Sequence, residues 1–243
     1  MASPVLSRNI FNDDSTATTG HVLAFQGANP SAGELLVMFL RFAAAPGTIT
    51  ATGYTAFAGP DTSDASDDTS VIYYRWADGT EGASDTITTA NSVKSAGSGC
   101  IVTGAENPAT QAPQASTVAI GTGANADPTT VTPTGGAKDY LWLSYLGMDG
   151  ETQTASIAGG WTLQGVGTSG TGGAAATNCI TWQAFLASNA ASMDPPAWTS
   201  SAPANGWTAW AVAVHPPAAA AASDPTSWIS ERRTPRRRSM QRW

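Results

Sequence analysis

Short runs of apolar or alternating residues recur along the chain, separated by clusters of Gly, Pro, Asn, Asp, Ser and Thr. This spacing is typical of many short β-strands joined by turns. The run GELLVMFLRF is almost continuously apolar and predicts a strand covered on both faces, whereas GWTAWAVAVHP alternates large residues with small or polar ones. The pattern predicts strands near residues 20–26, 34–42, 52–57, 70–76, 84–89, 99–104, 115–121, 139–146, 160–165, 179–187, 196–200 and 206–215.

The strand pattern occurs twice in the chain, with an offset of about 106 to 111 residues through four successive elements. Such a repeat is too long for a solenoid and suits a duplicated Greek-key half that closes a sandwich around one core. Two independent sandwiches are the weaker alternative, since each half offers only about five or six strands. The matched pairs are ELLVMFL (34–40) with DYLWLSYL (139–146), GYTAF (53–57) with GGWTLQ (159–164), residues 71–89 with 179–201, and residues 98–108 with 205–216.

These patterns predict an all-β protein, a jelly-roll-like antiparallel β-sandwich built from two pseudo-repeated Greek-key halves with a non-globular C-terminal arm. Residues 1–14 are predicted to form an N-terminal arm and residues 15–217 the sandwich. Its pseudo-repeats span about 20–110 and 115–217, and residues 218–243 form a Pro/Ala linker followed by an arginine-rich arm.

Charge is divided unevenly along the chain. The net charge is −7, but residues 1–222 carry five basic and sixteen acidic side chains, whereas residues 223–243 carry six arginines and two acids. An acidic body argues against direct nucleic-acid binding, because neutralising phosphates requires a basic face. Nucleic acid therefore remains a candidate partner only through the C-terminal arm.

Cys100 and Cys179 are isolated thiols inside apolar runs, without the spacing of a zinc site. We expect both to be buried and reduced. The N-terminus lacks the pattern of a signal peptide, and no apolar run approaches the ~18 residues of a membrane span. We therefore expect assembly in a cytosol and no membrane partner.

A group of polar and acidic residues follows the aromatic run YYRW and contains Asp78, Glu81 and Asp85. Either a catalytic carboxylate cluster or the solvated end of a hairpin would fit this composition. The second copy of the repeat has residues 188–189, Ser-Asn, where the first has Asp78 and Gly79, so it keeps polar residues without the carboxylates. This difference favours a turn in which Glu81 stays solvated.

Two loops partly match ligand-binding motifs. The acidic loop DTSDASDD, residues 61–68, has Ser66 and Ile72 where an EF-hand calcium loop requires Gly and Glu, so we expect a solvated loop. The segment 165–170 fits GxGxxG, but neither a helix nor an acidic residue about twenty positions later follows it. We predict a flexible loop there, with no cofactor and no bound metal in the protein.

The two histidines, His21 and His215, have no Cys, Asp or Glu beside them in the sequence. A Ser-His-Asp arrangement can in principle be assembled across the fold, but no GxSxG motif marks a nucleophile. We predict that the protein is not an enzyme.

Tryptophans within the repeated strands are expected to fill the core, namely Trp76, Trp142, Trp161, Trp182, Trp207 and Trp210. Arginine without lysine in the arm favours forked contacts with carboxylates or phosphates. For the arm, a disordered tail, a segment that binds an acidic protein such as an adjacent copy, and a nucleic-acid-binding segment all remain open. The candidate interface residues are Trp198, which follows Pro195 and Pro196, with Trp228, Trp243, Arg232, Arg233, Arg236, Arg237, Arg238 and Arg242 in the tail.

Six segments, taken in order, resemble a family of β-sandwich virion proteins that recurs in tailed bacteriophages and prophages. The similarity covers about residues 15–217 and leaves out residues 218–243. The resemblance implies a β-sandwich without a catalytic residue set, found as a head decoration or fibre-like component. The segments are AGELLVMFL, GYTAF, YYRWADGTEGASDTIT, GTGANADPTTVTPTGGAKDYLWLSYLG, GGWT and MDPPAWTSSAPANGWTAWAVAVHP.

This resemblance leads us to expect a capsid decoration, or cement, protein on the capsid surface of a virion assembled in the host cytoplasm. We expect a homotrimer docked on the major capsid protein, with loops 61–68 and 78–85 facing outward. Residues 1–14 and 223–243 are expected to lie along the shell or neighbouring subunits. The alternative is a tail-fibre or receptor-recognition module in which an exposed Trp198 contacts a host glycan.

Overall fold

A computed structural model describes residues 3–63, 68–150, 152–170, 177–201 and 205–218. Within these ranges most of the chain is extended, and the single helix there is the short α1 (Pro108–Gln111). The strands are β1 (Val5–Phe25), β2 (Leu35–Phe42), β3 (Ile49–Thr50), β4 (Thr55–Ser63), β5 (Asp68–Trp76), β6 (Ser84–Thr103), β7 (Gln114–Ala115), β8 (Ala119–Thr122), β9 (Asn125–Ala126), β10 (Lys138–Asp149), β11 (Ala155–Ser156), β12 (Thr162–Thr168), β13 (Cys179–Ala190), β14 (Trp198–Ser200) and β15 (Gly206–Val214).

The strands form two large antiparallel sheets, one from each half of the sequence repeat. The first sheet has the order β4-β5-β2-β6-β1, with β3 also paired to β6. The second has the order β12-β13-β10-β15-β7, with β8 also paired to β15, and a small third sheet joins β11, β14 and β9. Strands matched by the repeat therefore take the same place in each large sheet. The predicted antiparallel β-sandwich is confirmed.

The two large sheets share one apolar interior. Leu35 and Phe39 of β2 belong to the same buried cluster as alternate residues of β10, and the rings of Phe39 and Tyr145 lie 5.4 Å apart. Arg41, later in β2, contacts Asp149 at the end of β10, so the two central strands run in the same direction. The duplicated halves thus face each other across a common core.

The outer faces of both sheets are covered as well, which explains why β2 is buried along its whole length. Over the first sheet, Leu23 and Ile87, from the paired ends of the long strands β1 and β6, pack with Leu36 and Met38. Over the second sheet lies a cluster rich in tryptophan, which includes Trp198 of the small sheet. The expected burial of strand tryptophans is confirmed for Trp142, Trp161, Trp182, Trp207 and Trp210, while Trp76 is half-buried.

The prediction of an N-terminal arm over residues 1–14 is wrong for its described part. Pairing between β1 and β6 begins with Val5 opposite Thr103 and continues toward Phe25. On the other side of β1, the carboxylate of Asp13 accepts a hydrogen bond of 2.6 Å from the backbone N–H of Thr168 in β12. The segment is therefore an edge strand of the sandwich, and it closes one side against the second sheet.

Candidate functional site

The predicted interface residues of the C-terminal arm lie outside the described residues. They are Trp228, Arg232, Arg233, Arg236, Arg237, Arg238, Arg242 and Trp243.

The expectation that Trp198 lies on the surface is wrong. Its side chain has no exposed area, and its Nε1–H donates a hydrogen bond of 2.9 Å to the hydroxyl of Ser144 in β10. Trp198 starts β14, which lies across the outer face of the second sheet. The neighbouring prolines indicated a loop, but the ring anchors the small sheet, so Trp198 has no surface available for a glycan.

The hairpin end that follows YYRW holds a cluster of polar groups joined by hydrogen bonds and ion pairs. Glu81 is buried rather than solvated, which corrects the prediction, and its carboxylate accepts hydrogen bonds from the backbone N–H groups of Asp78 (3.1 Å) and Gly79 (2.9 Å). The guanidinium of Arg75 lies 3.0 Å from the same carboxylate. The turn itself is as predicted, since Gly79 has a φ of 85° and Asp78 is exposed.

Arg75 also binds Asp85 at 2.8 Å, and the hydroxyl of Tyr54 donates to Asp85 at 3.1 Å. Burial, followed by the charge of Asp85, raises the pKa of Tyr54 far above its ordinary value. Arg75 thus pairs with two of the three carboxylates that the sequence brought into question, Glu81 and Asp85. This arrangement stabilises a turn.

A surface cleft of about 450 Å³ opens beside this cluster, on the outer side of the first sheet. Two tyrosine rings approach each other edge to face in its wall, with centroids 6.4 Å apart. The lining residues are Gly47, Thr48, Ile49, Ala51, Tyr54, Ala56, Pro60 and Tyr73.

The structure brings His21 into contact with a carboxylate and two hydroxyls. Nδ1 of His21 lies 2.7 Å from the Oδ2 of Asp14, and Nε2 lies 3.0 Å from the hydroxyl of Thr89. The hydroxyl of Ser95 donates to Asp14 at 2.7 Å. Burial raises the pKa of Asp14, but hydrogen bonds from His21, Asn12 and Ser95 outweigh burial and lower it.

This group has the residue types of a catalytic triad, but its histidine is not accessible to a substrate. His21 has no exposed area and its ring packs against Phe42 at 5.1 Å. Ser95 lies on the same ring nitrogen as Asp14, and the hydroxyl of Thr89 donates to the backbone of Asn91 at 2.8 Å. No substrate can reach a nucleophile here, so the group is a buried polar link between β1 and β6.

The second buried polar group joins the two large sheets, and we call it the Arg41 cluster. Arg41 has no exposed area, and its guanidinium binds Asp68 at 3.1 Å and also binds Asp149. It donates to the hydroxyls of Ser70 and Thr208, each at 3.2 Å. Asp68 was predicted to lie in an outward-facing acidic loop, so that prediction is wrong for this residue, which begins β5 inside the sandwich.

Burial and the hydrogen bond to Asp149 raise the pKa of Asp68 to about 8, against the opposing effect of Arg41. One buried cation facing two carboxyl groups leaves a surplus of negative charge, which a retained proton removes. The Arg41 cluster therefore favours a protonated Asp68 at neutral pH.

The second half of the chain has a different residue at the position of Arg41. Arg41 pairs with Ser70, the third residue of β5, and Gly147 pairs with Thr181, the third residue of the matched strand β13. Gly147 is thus the counterpart of Arg41. A Cβ on Gly147 would lie 2.8 Å from the Phe39 ring and 3.0 Å from the Cδ of Arg41, so the glycine leaves the space that the arginine fills.

The partners of Arg41 have apolar counterparts as well. Asp68 begins β5 as Cys179 begins β13, and Asp149 ends β10 where Ala43 follows β2. Ala43, Ala96 and Cys179 form a small buried cluster of their own, the Cys179 cluster. Equivalent positions in the sandwich are therefore filled once by charged side chains and once by small apolar side chains.

Both cysteines are buried free thiols, as expected. Burial raises the pKa of Cys100 and of Cys179 to about 12, which makes both poor nucleophiles at neutral pH. Among the described residues no group of three or more His, Cys, Asp or Glu side chains is arranged to hold a metal ion. In the same residues no helix has the length and apolar character needed to cross a membrane.

Comparison with known proteins finds no matching family model, no matching curated protein and no matching solved structure.

Proposed function

We propose that the protein is a structural component of a phage virion, a capsid decoration protein that binds the major capsid protein as a homotrimer and stabilises the head. The six segments that resemble phage β-sandwich proteins carry this proposal. The closed polar clusters support it, since neither of the two buried networks around His21 and Arg41 offers an accessible reactive group. On a shell with many identical copies, weak contacts from each copy are sufficient for firm attachment.

The distribution of charge supports a role for the arginine-rich arm in this attachment. The three arginines of the described body, Arg8, Arg41 and Arg75, all pair with carboxylates of the body itself. Its two lysines bind amide oxygens instead, at 2.6 Å for Lys94 and 3.4 Å for Lys138.

Acidic groups therefore remain unpaired on the surface. Asp78, Asp127 and Asp194 are exposed, and within the described residues no cation pairs with them. Six arginines in residues 223–243 have the complementary charge. We propose that the arm of one copy binds an acidic surface of its neighbours or of the shell.

The proposal is tested by sedimenting the protein with purified empty shells and counting the copies bound per shell subunit. Hundreds of copies support decoration, whereas a handful indicate a tail component. Deletion of residues 223–243 should lower the occupancy. A matched pair of full-length variants separates geometry from charge, because replacing the six arginines by lysine keeps the charge, whereas replacing them by glutamine removes it. Full occupancy of the glutamine variant would exclude the arm from binding.

A tail-fibre or receptor-binding module remains the second proposal. Because Trp198 is buried, the cleft beside Tyr54 and Tyr73 is the observation that supports it instead. Tyr73 is buried, but the partly exposed ring of Tyr54 in this cleft is suited to contact the face of a sugar ring. A glycan array probed with the purified protein distinguishes the two proposals. A decoration protein binds shells and no particular sugar, whereas selective sugar binding that is lost in Tyr54→Ala would support the receptor-binding proposal.

A further inference from the structure

The Arg41 cluster lies where the two large sheets meet, and both sheets contribute charged groups to it. Arg41 and Asp68 belong to the first sheet, and Asp149 belongs to the second. One guanidinium nitrogen of Arg41, Nη2, contacts both carboxyl groups, and Arg41 and Asp68 have no exposed area. One buried cation balances only one ionised carboxylate, so burial favours a proton on the other. We therefore expect the contact between the sheets to include one proton.

Among the residues that the structure describes, few other charges surround this contact. On β13, Cys179 donates from its thiol to the backbone oxygen of Arg41 at 3.3 Å. On β6, Lys94 is bound to the side-chain oxygen of Asn178 at 2.6 Å. Besides Asp68, strand β5 contributes the hydroxyl of Ser70, and β15 contributes that of Thr208. The Thr208 hydroxyl donates to the Ser70 hydroxyl at 2.8 Å. In the described part of the chain, Arg41 is thus the only cation that the structure shows in contact with the two carboxyl groups.

We infer that a proton held by Asp68 beside Asp149 keeps the two sheets together at this end of the sandwich, and that its loss loosens this end locally. With the proton in place, the one cation and the one remaining carboxylate balance each other. Without it, two adjacent buried carboxylates share one guanidinium and repel each other across the boundary between the sheets.

The direction of the pH dependence follows from the carboxyl groups. Asp68 holds its proton up to a pKa of about 8 in the closed sandwich, whereas an exposed aspartate loses it near 3.8. The closed form therefore binds the extra proton between these values. Opening becomes more favourable as the pH rises, by up to about tenfold per pH unit, and levels off above pH 8. The Cys179 cluster has no such carboxyl pair, so its packing adds no pH dependence in this range.

Cys179 is a built-in reporter of the opening, because it contacts the backbone of Arg41 and is fully buried in the closed form. The full-length protein is treated with a thiol-alkylating reagent from pH 5 to pH 9, and labelling of each cysteine is followed by peptide mass spectrometry. Dividing each rate by the rate in denatured protein at the same pH removes the ionisation of the thiol itself. Cys100, deep in the shared core, reports global unfolding.

We expect the corrected labelling of Cys179 to rise by up to about tenfold per pH unit until about pH 8 and to exceed that of Cys100 throughout. In Asp68→Asn, which keeps the size of the side chain without a titrating proton, the profile should be flat. A flat wild-type profile would overturn the inference, as would equal labelling of the two cysteines or an unchanged slope in the variant. If Asp68→Asn does not fold, Asp149→Asn carries the same expectation.

Discussion

The Arg41 cluster and the Cys179 cluster occupy equivalent positions in the two halves of a duplicated sandwich, yet they share almost no chemistry. One buries a cation with two carboxyl groups and two hydroxyls, and the other buries two alanines and a thiol. Because the second solution exists in the same molecule, the fold does not require charges at this position. Exchanging a buried ionic group for apolar residues is often neutral or stabilising, so stability alone does not account for the Arg41 cluster.

The comparison also shows how a duplicated half adapts to its own copy. Equivalent residues of β2 and β10 approach each other across the shared interior, and two arginines at this point would have to occupy one space. Gly147 stands where the second arginine would be, and its missing side chain makes room for Phe39 and Arg41. The two halves therefore differ at this point of close contact.

The largest expected effect comes from removing the cation. Arg41→Met should lower the free energy of unfolding by about 3–5 kcal/mol, because two buried carboxyl groups lose their only positive partner among the described residues. Denaturant unfolding near neutral pH measures the change. The triple variant Arg41→Met, Asp68→Asn, Asp149→Asn imitates the uncharged solution of the Cys179 cluster and should recover part of the loss. A triple variant less stable than Arg41→Met would contradict the view that the charges are dispensable for the fold.

Gly147→Ala should have the next largest effect. Its Cβ would meet the Phe39 ring at 2.8 Å and Arg41 at 3.0 Å, so we expect a loss of about 1–3 kcal/mol from overpacking. Gly20→Ala is a matched control in β1, where the nearest atom, a methyl carbon of Thr86, lies 3.7 Å away. Chemical denaturation measures the free energy of unfolding of both variants. Equal stability would show that the interface between the halves can accommodate a methyl group at Gly147.

The sequence predicted the sheets well because the strand signal is local and occurs twice. Alternating and continuous apolar runs mark the central strands, and their repetition places matched strands in matched positions. The polar clusters were not predictable in the same way, since each depends on a partner brought from another strand. Glu81 looks like an exposed turn residue until Arg75 and two backbone N–H groups surround it.

The burial of Asp68 was not predicted for the same reason, because its partner Arg41 lies on another strand. The acidic run that Asp68 ends resembles a solvated loop. Strand β1 was predicted too short, since an edge strand has one covered side and the polar residues of 12–18 hide its alternation. His21 and Asp14 meet only because β1 is irregular between them, with register shifts against β6 at Asp14 and Thr18. Neither the contact of Asp68 with Arg41 nor that of His21 with Asp14 can be recognised from a single sequence.

The opposite end of the sandwich should respond to pH in the opposite direction. Burial, with a contribution from Lys138, lowers the pKa of His215 to about 4, and its Nε2 lies 3.1 Å from the side-chain oxygen of Gln114. A lowered pKa means that the unfolded chain binds the proton first, so His215 stabilises the fold above about pH 6.5 and this contribution is lost as the pH falls toward 4. Thermal unfolding of wild type and His215→Gln between pH 4 and 7 should show a weaker acid dependence in the variant. An unchanged acid dependence would assign the effect to other groups.

The smallest effect is expected within the apolar cluster itself. Cys179→Ala removes a sulfur and one weak hydrogen bond to the backbone of Arg41, which leaves a small cavity beside two alanines. We expect a loss of about 1 kcal/mol, measured by denaturant unfolding, with no change in its pH dependence. Cys179→Ser keeps the size but places a stronger hydrogen-bond donor near the same carbonyl, so it separates packing from hydrogen bonding. If either variant altered the pH dependence of stability between 5 and 8, the thiol would belong to the proton-linked contact, and the two clusters would act as one unit.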